Sequence, residues 1–317
     1  MAVLPVDKPL GPSSHDVVAE ARRRLKTRRI GHAGTLDPLA TGVLVLLSGS
    51  ATKLSPFLTG SDKEYLAWVS FGAATATLDA EGPVTAEADG SWLDAGAVAA
   101  ALPPFLSMRE QRPPAFSAIK REGVRSYARA RKGEDVSLPA RPAGYVSLAL
   151  LSFAASREGL PARFAADPHG AWCPAEDGYA PALPATLASL PTALVRARVR
   201  AGTYLRAFAR DLGEALGVPA HLSGLVRTRA GRISLDRAGA LADLASASGV
   251  PAAEALPYPA VTLDADAARR VRLGQRPQAR FEGRALLLDP DGRLAAVAEE
   301  SAGRVRLLRV WAEDDAG

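Results

Sequence analysis

Apolar and polar positions divide the chain into segments with different periods. Val17, Val18, Ala21 and Leu25 recur at helical spacing, with Arg22, Arg23, Lys26 and Arg29 largely off that face. A basic amphipathic helix is therefore expected from a Ser13 or Ser14 cap to about Arg28. Val43 to Leu47 is a continuous apolar run, which predicts a strand buried on both faces. Tyr65 to Phe71 alternates and predicts a half-buried strand, with a turn at Asp79-Ala80-Glu81-Gly82. Residues 94–102 predict a short Ala-rich helix closed by Pro103-Pro104. Residues 194–200 alternate strictly, Leu194, Arg196, Arg198 and Arg200 opposite Val195, Ala197 and Val199, which predicts a strand with one basic face. Gly202-Thr203 then turns into a helix carrying Leu205, Phe208, Leu212 and Leu216, stopping near Gly217 and Pro219.

Between these elements the pattern loosens. Residues 111–133 are mixed and lead into an expected helix around Tyr127. Residues 154–192, rich in Ala and Pro, read as an irregular insertion between two strands. A break near Ser246 to Pro259 precedes short apolar runs at 285–288, 294–298 and 305–311, separated by Gly and Asp turns. That spacing suggests a small β-barrel or sandwich, and divides the chain into residues 1–250 and 256–317. No internal repeat is visible.

Composition narrows the classes. The 317 residues hold 39 basic and 34 acidic side chains, a net charge of +5, and 48% hydrophobic residues, so a packed core is expected. One cysteine, Cys173, excludes an intrachain disulfide framework and any site with several thiolate ligands, zinc deaminases included. The first 20 residues lack an apolar signal core and no apolar run approaches the ~18 residues of a spanning helix, so a soluble, cytoplasmic protein is expected. The charge is unevenly spread. Residues 1–58 carry eight basic against four acidic side chains, 109–141 nine against four, and 196–237 nine against three, whereas 61–97 has Lys63 alone against seven carboxylates. Convergence of the basic segments would build a surface for a polyanion; a solvated arginine-rich surface is the plainer reading of charge alone.

Candidate chemistry concentrates in Gly31-His32-Ala33-Gly34-Thr35-Leu36-Asp37-Pro38-Leu39-Ala40-Thr41-Gly42, where three glycines and a proline break helix and strand alike. Asp37, restrained by the following proline and flanked by apolar residues, suits a nucleophile or general base, although an isolated Asp-Pro is more often a simple turn. Arg206, at the start of a helix after a basic strand, suits pairing with a carboxylate. None of the four histidines has metal-ligand spacing with another. Gly49-Ser50-Ala51-Thr52-Lys53 lacks the spacing of a phosphate loop, and no dinucleotide fingerprint follows a strand, so no cofactor is expected.

The Gly31–Gly42 block, together with Asp7-Lys8-Pro9-Leu10-Gly11-Pro12-Ser13-Ser14, Asp62-Lys63-Glu64-Tyr65, Arg112 to Lys120, Gly202-Thr203-Tyr204-Leu205-Arg206 and Leu225-Val226-Arg227-Thr228-Arg229-Ala230-Gly231, resembles the TruB family of bacterial tRNA pseudouridine-55 synthases. The blocks follow the family's order over most of residues 1–235. The resemblance implies an α+β fold, with a central mixed, mainly antiparallel sheet flanked by helices and loops. It also implies a C-terminal PUA-like RNA-binding barrel, through Ala268 to Gln275 and Leu286 to Val297. It assigns Asp37 as the catalytic aspartate, Tyr65 as the residue stacking on the target base, and Arg206 as the partner of Asp37. His32 would contact RNA where the target nucleotide leaves its stack. Lys8, Asp79, Tyr204 and Leu225 would line the pocket or support its loop, and Lys120 would lie in an RNA-gripping arm. The implied partner is the tRNA T-stem-loop, with no metal, no cofactor, no obligate protein partner and a monomeric chain. Two features depart from the family pattern: the length of the 154–192 insertion, and Ala201 where many relatives carry a polar residue. A tRNA-binding or folding protein without chemistry is the alternative, though binding alone requires no set of Asp37, Tyr65 and Arg206. A glycosidase of free nucleosides would leave the basic segments unexplained.

Overall fold

The structure, a computed structural model, describes residues 1–116 and 138–312, and the backbone of 120–121 and 124–125. A nine-stranded sheet forms its centre. The main path runs Tyr145–Ala154, Thr192–Val199, Lys63–Phe71, Ala220–Ala230, Ala40–Ser48, Ala2–Lys8 and Gly239–Ala240. Ala220–Ala230 lies parallel to Ala40–Ser48, and Ala2–Lys8 parallel to Gly239–Ala240; the other pairings of the sheet are antiparallel. The sheet is therefore mixed and mainly antiparallel, as the resemblance implies.

Both faces of the sheet are covered, and alternation along each strand decides which core a residue joins. Leu44 and Leu46 join Tyr65, Ala67, Val69 and Phe71 in one core, closed by Val17, Val18 and Ala21 of the Ser14–Arg24 helix and by Phe208 and Leu212 of the Leu205–Leu216 helix. Val43, Val45 and Leu47 join Leu66, Trp68, Leu194 and Val226 in the other. The strand expected at 43–47 extends over Ala40–Ser48 and is buried on both faces.

Three expectations change. The first helix stops at Arg24, short of Arg28. Lys26 takes a positive φ of 48°, and the Arg22 guanidinium donates to the Ile30 carbonyl at 2.9 Å, turning the chain back toward the Ile30–His32 strand. Its start follows the sequence: Ser13 and Asp16 form a reciprocal capping box. The second change concerns Lys63–Phe71, which is buried at every position, because it lies between two strands and both its faces are covered. Part of that cover is the third change. Residues 154–192 contain an ordered hairpin, Phe164–Ala166 with Trp172–Pro174. Phe164 is fully buried edge-on to Trp68 at 5.6 Å, and the Trp172 indole donates to Ser234 Oγ at 3.2 Å. Arg196 and Arg229 point into this segment and donate to the carbonyls of Trp172 and Gly170, so part of the expected basic face is engaged internally. If the segment is part of the core, Phe164→Ala should cost about 3–5 kcal/mol, read from the urea midpoint. A loss below about 1 kcal/mol would mark it as a loosely attached loop.

The tail forms a four-stranded sheet in the order Ala260–Thr262, Gly283–Leu288, Leu294–Ser301, Arg304–Val310, with the Ala265–Arg272 helix against it. It joins the larger part through Trp311, fully buried, whose indole donates to the Ser50 carbonyl at 3.1 Å. The expected helix around Tyr127 lies outside the described residues, as does the side chain of Lys120. Among the described residues no helix is long and apolar enough to cross a membrane.

Candidate active site

The Gly31–Gly42 loop is held by its carbonyl groups. Ser14 Oγ donates to the Leu36 carbonyl and accepts the Leu36 N–H, each at 2.8 Å. Arg227, fully buried at the middle of a central strand, donates to Val43 at 2.7 Å, to Gly34 at 3.1 Å and to Thr35 at 3.3 Å. Lys8 Nζ and the Gly11 N–H both donate to the Pro38 carbonyl, at 3.3 and 3.0 Å. Gly42 closes the loop at φ +92°, where a Cβ would sit 2.4 Å from the Arg227 carbonyl oxygen; only glycine permits that approach. These contacts fix the backbone on both sides of Asp37.

The Asp37 side chain is 37% exposed and meets a buried partner, Arg206 Nε, at 2.9 Å. Arg206 opens the Leu205–Leu216 helix, and its other nitrogens donate to the carbonyls of Thr77 at 3.0 Å and Phe116 at 2.8 Å. Asp79, also buried, lies 3.6 Å from Arg206 Nε. Burial pushes the Asp79 carboxyl above its usual range, against the hydrogen bond from Thr77 and the charge of Arg206. A cleft of about 290 Å³ opens beside Asp37, lined also by Tyr65, Tyr204, Arg206, Leu225, Lys63 and Arg227. Among the described residues that line it, Asp37 is the one carboxylate. Tyr204 is set by Gln111, which accepts from its N–H at 3.0 Å and donates to its carbonyl at 3.2 Å. Burial, then the charge of Asp37, pushes the Tyr204 phenol up, so it remains a donor at neutral pH. The arrangement presents one aimed carboxylate, two phenols and an apolar wall to a ligand of about nucleoside size.

A model of the TruB family pseudouridylate synthase N-terminal domain matches residues 22–166. The tRNA pseudouridine synthase B of Thermus thermophilus is 51% identical over 99% of this chain and 100% of its own length. That of Deinococcus radiodurans is 48% identical over 98% of this chain and 100% of its own. The chain belongs to the TruB family of pseudouridine synthases. The fold agrees: a chain in the crystal structure of a Cbf5-Nop10-Gar1 complex superposes with a TM-score of 0.66 at 22% identity, covering 99% of this chain and 86% of that one.

In this TruB-family chain, Asp37, Tyr65, Tyr204, Arg206 and Leu225 come together in one cleft. Asp79 stands behind Arg206, and Lys8 beneath the loop; neither lines the cleft. His32 also lies outside its lining, on the strand leading into the loop, with its ring edge-on to His15 at 5.7 Å. Burial, reinforced by His15 and Arg227, holds the His32 imidazole below its usual pKa. Arg227, Ser14 and Lys63, which carry no site role in the sequence reading, hold backbone carbonyls at or beside the loop. Lys63 Nζ donates to Thr59 and Ser61 at 2.6 Å and to Leu58 at 3.2 Å. For Arg227 the available signal was its place after Leu225-Val226, in a segment of strand length where a charged side chain must find buried acceptors.

Burial brings Lys8 down to about 8 from its ordinary 10.5. A lysine whose folded pKa is depressed binds more protons in the unfolded state between these values, so stability rises with pH across that window. Lys8→Met removes this dependence. The stability of wild type relative to the variant should therefore increase between pH 7 and pH 10, as read from urea midpoints; an unchanged difference would mean that Lys8 keeps an ordinary pKa.

Proposed function

We propose that this chain isomerises uridine-55 in the T-loop of tRNA to pseudouridine, with Asp37 as the reacting carboxylate. The observation that carries the reading is the placement of Asp37, the one carboxylate lining the cleft among the described residues, on a loop fixed from both sides and against a buried arginine. The relatives named tRNA pseudouridine synthase B supply the substrate class.

The reaction breaks the bond between C1′ and N1, turns the base, and joins C1′ to C5, moving the C5 proton away while N1 regains one. No outside electrons are involved, so the reaction needs no redox partner. The target nucleotide must first leave its stack, and a snug site with aromatic side chains compensates for lost stacking. Tyr65 is placed to stack on the base, Leu225 to wall the cleft, and the protonated Tyr204 phenol to donate. Arg206 aims Asp37, with Asp79 balancing Arg206 from behind. Lys8 supports the loop from beneath, His32 would meet RNA next to the vacated stack, and Lys120 belongs to an arm that grips it. Residues 1–250 form the catalytic domain and 256–317 a PUA-like RNA-binding domain. The protein works as a monomer in the cytoplasm.

The test is chemical mapping of pseudouridine on unmodified tRNA treated with the purified protein. Conversion at the T-loop uridine is expected. Tight binding without any conversion would favour a tRNA-folding protein instead.

A further inference from the structure

Among the described residues, four cationic side chains line the cleft: Lys63, Arg200, Arg206 and Arg227. Three are engaged inside the protein. Lys63 holds the carbonyls of Leu58, Thr59 and Ser61; Arg227 holds those of Gly34, Thr35 and Val43; Arg206 binds Asp37, Thr77 and Phe116. Each directs bonds of its charged group to carbonyls or the carboxylate that hold the site together. Arg200 differs. It is exposed, and its side chain has no hydrogen bond or ion pair among the described residues.

Its attachment is nonetheless firm. The Arg200 N–H donates to the Gly144 carbonyl at 2.8 Å, and its own carbonyl accepts from Thr203 at 3.3 Å. The stem runs over Gly144, where a Cβ would stand 3.1 Å from Arg200 Cδ. A guanidinium is thus carried at the cleft, on a fixed base, with none of its donors bonded to a described residue. The next residue is Ala201, a side chain without polar groups, so Arg200 supplies the charge at this corner. A nucleotide whose base enters the cleft leaves its phosphodiesters outside, next to the lining, and a planar fork of donors matches two phosphate oxygens at once.

We propose that Arg200 is the phosphate clamp of this cleft, binding the phosphodiester adjacent to the nucleotide whose base is taken in. The proposal rests on the reading of the substrate as RNA. It concerns binding rather than chemistry, so its loss should fall on KM and not on kcat.

The test pairs Arg200→Gln with a T-arm oligonucleotide in which one phosphate at a time, on either side of the target uridine, is replaced by a neutral methylphosphonate. Arg200→Gln should weaken binding by at least about 10-fold, the scale of one charged hydrogen-bonded contact. The slope of log affinity against log salt should become shallower by about 0.7–0.9. At one phosphate position the neutral linkage should weaken wild type by a similar factor and the variant hardly at all, because the contact is already lost. Arg200→Lys should keep the salt slope and recover part of the affinity. Unchanged binding by Arg200→Gln, or fully additive losses at every phosphate, would overturn the proposal. The binding cycle stands whether or not wild type converts uridine, so failure of the proposed reaction and failure of the clamp are separately visible.

Discussion

Replacing Asp37 by asparagine is expected to reduce pseudouridine formation by at least about 10⁴-fold, the scale of loss when a directly reacting group is removed. The substitution is nearly isosteric. The amide oxygen can still accept from Arg206 Nε, now at 2.9 Å from the carboxylate, and the loop keeps its anchors at Ser14, Lys8 and Arg227. Arg206 also keeps Asp79, 3.6 Å away, as a buried counter-charge. Neither the fold nor the cleft should therefore change much. The affinity for unmodified tRNA should stay within about threefold, since phosphate contacts dominate it. Single-turnover mapping together with filter binding checks both halves. Turnover within tenfold of wild type would remove Asp37 from the chemistry. A parallel loss of binding would make it a structural residue of the loop.

The sequence made some of this architecture legible and hid the rest, for definite reasons. The Asp37 loop was visible because Gly34 and Pro38 break helix and strand alike, although Gly31 and Gly42 at its two ends belong to the flanking strands Ile30–His32 and Ala40–Ser48. The Leu205–Leu216 helix was visible because one face carries Leu205, Phe208 and Leu212 and its end is a left-handed Gly217. Periodicity reports that a face is buried, but not what covers the opposite one. Hence Tyr65 to Phe71 read as half-buried, although Phe164 from a distant segment closes over Trp68. The same blindness affects residues 154–192, whose irregular composition conceals a hairpin held by arginines from two central strands. Arg227 shows the limit most clearly. In sequence it is one of several basic residues; in the fold it is fully buried, and its role depends on carbonyls nearly two hundred positions away. The basic segments show it too. Residues 196–237 bring Arg200, Arg206 and Arg227 to the cleft, whereas Arg22 to Arg24 of the first segment make contacts away from it, with Glu20, Ile30 and Ala242.

Arg206→Gln is expected to have the second largest effect, and in two separable ways. A glutamine amide cannot span the Asp37 carboxylate and the carbonyls of Thr77 and Phe116 that the guanidinium joins. Asp37 would lose its aim, and a misplacement on the order of 1 Å is worth about 10²-fold in rate. The second effect is on stability. Asp79 would be left buried without its counter-charge, at about 3–5 kcal/mol. Its sign with pH is fixed. Burial already holds the Asp79 carboxyl above 3.8, and Arg206 opposes that rise. Without Arg206 the folded-state value climbs further, so the variant takes up a proton at higher pH than wild type. The stability gap should therefore be wider at pH 7.5 than at pH 5, because the variant takes up the Asp79 proton before wild type does as pH falls. Urea midpoints at the two pH values measure it, and adding Asp79→Asn to the variant should restore stability without restoring turnover. Arg206→Lys keeps the charge but lacks the fork, so it should recover more of the stability than of the rate. A gap independent of pH would mean that Arg206 acts on Asp37 alone. A rate recovered along with stability would mean that charge, and not the three-point geometry of the guanidinium, positions the carboxylate.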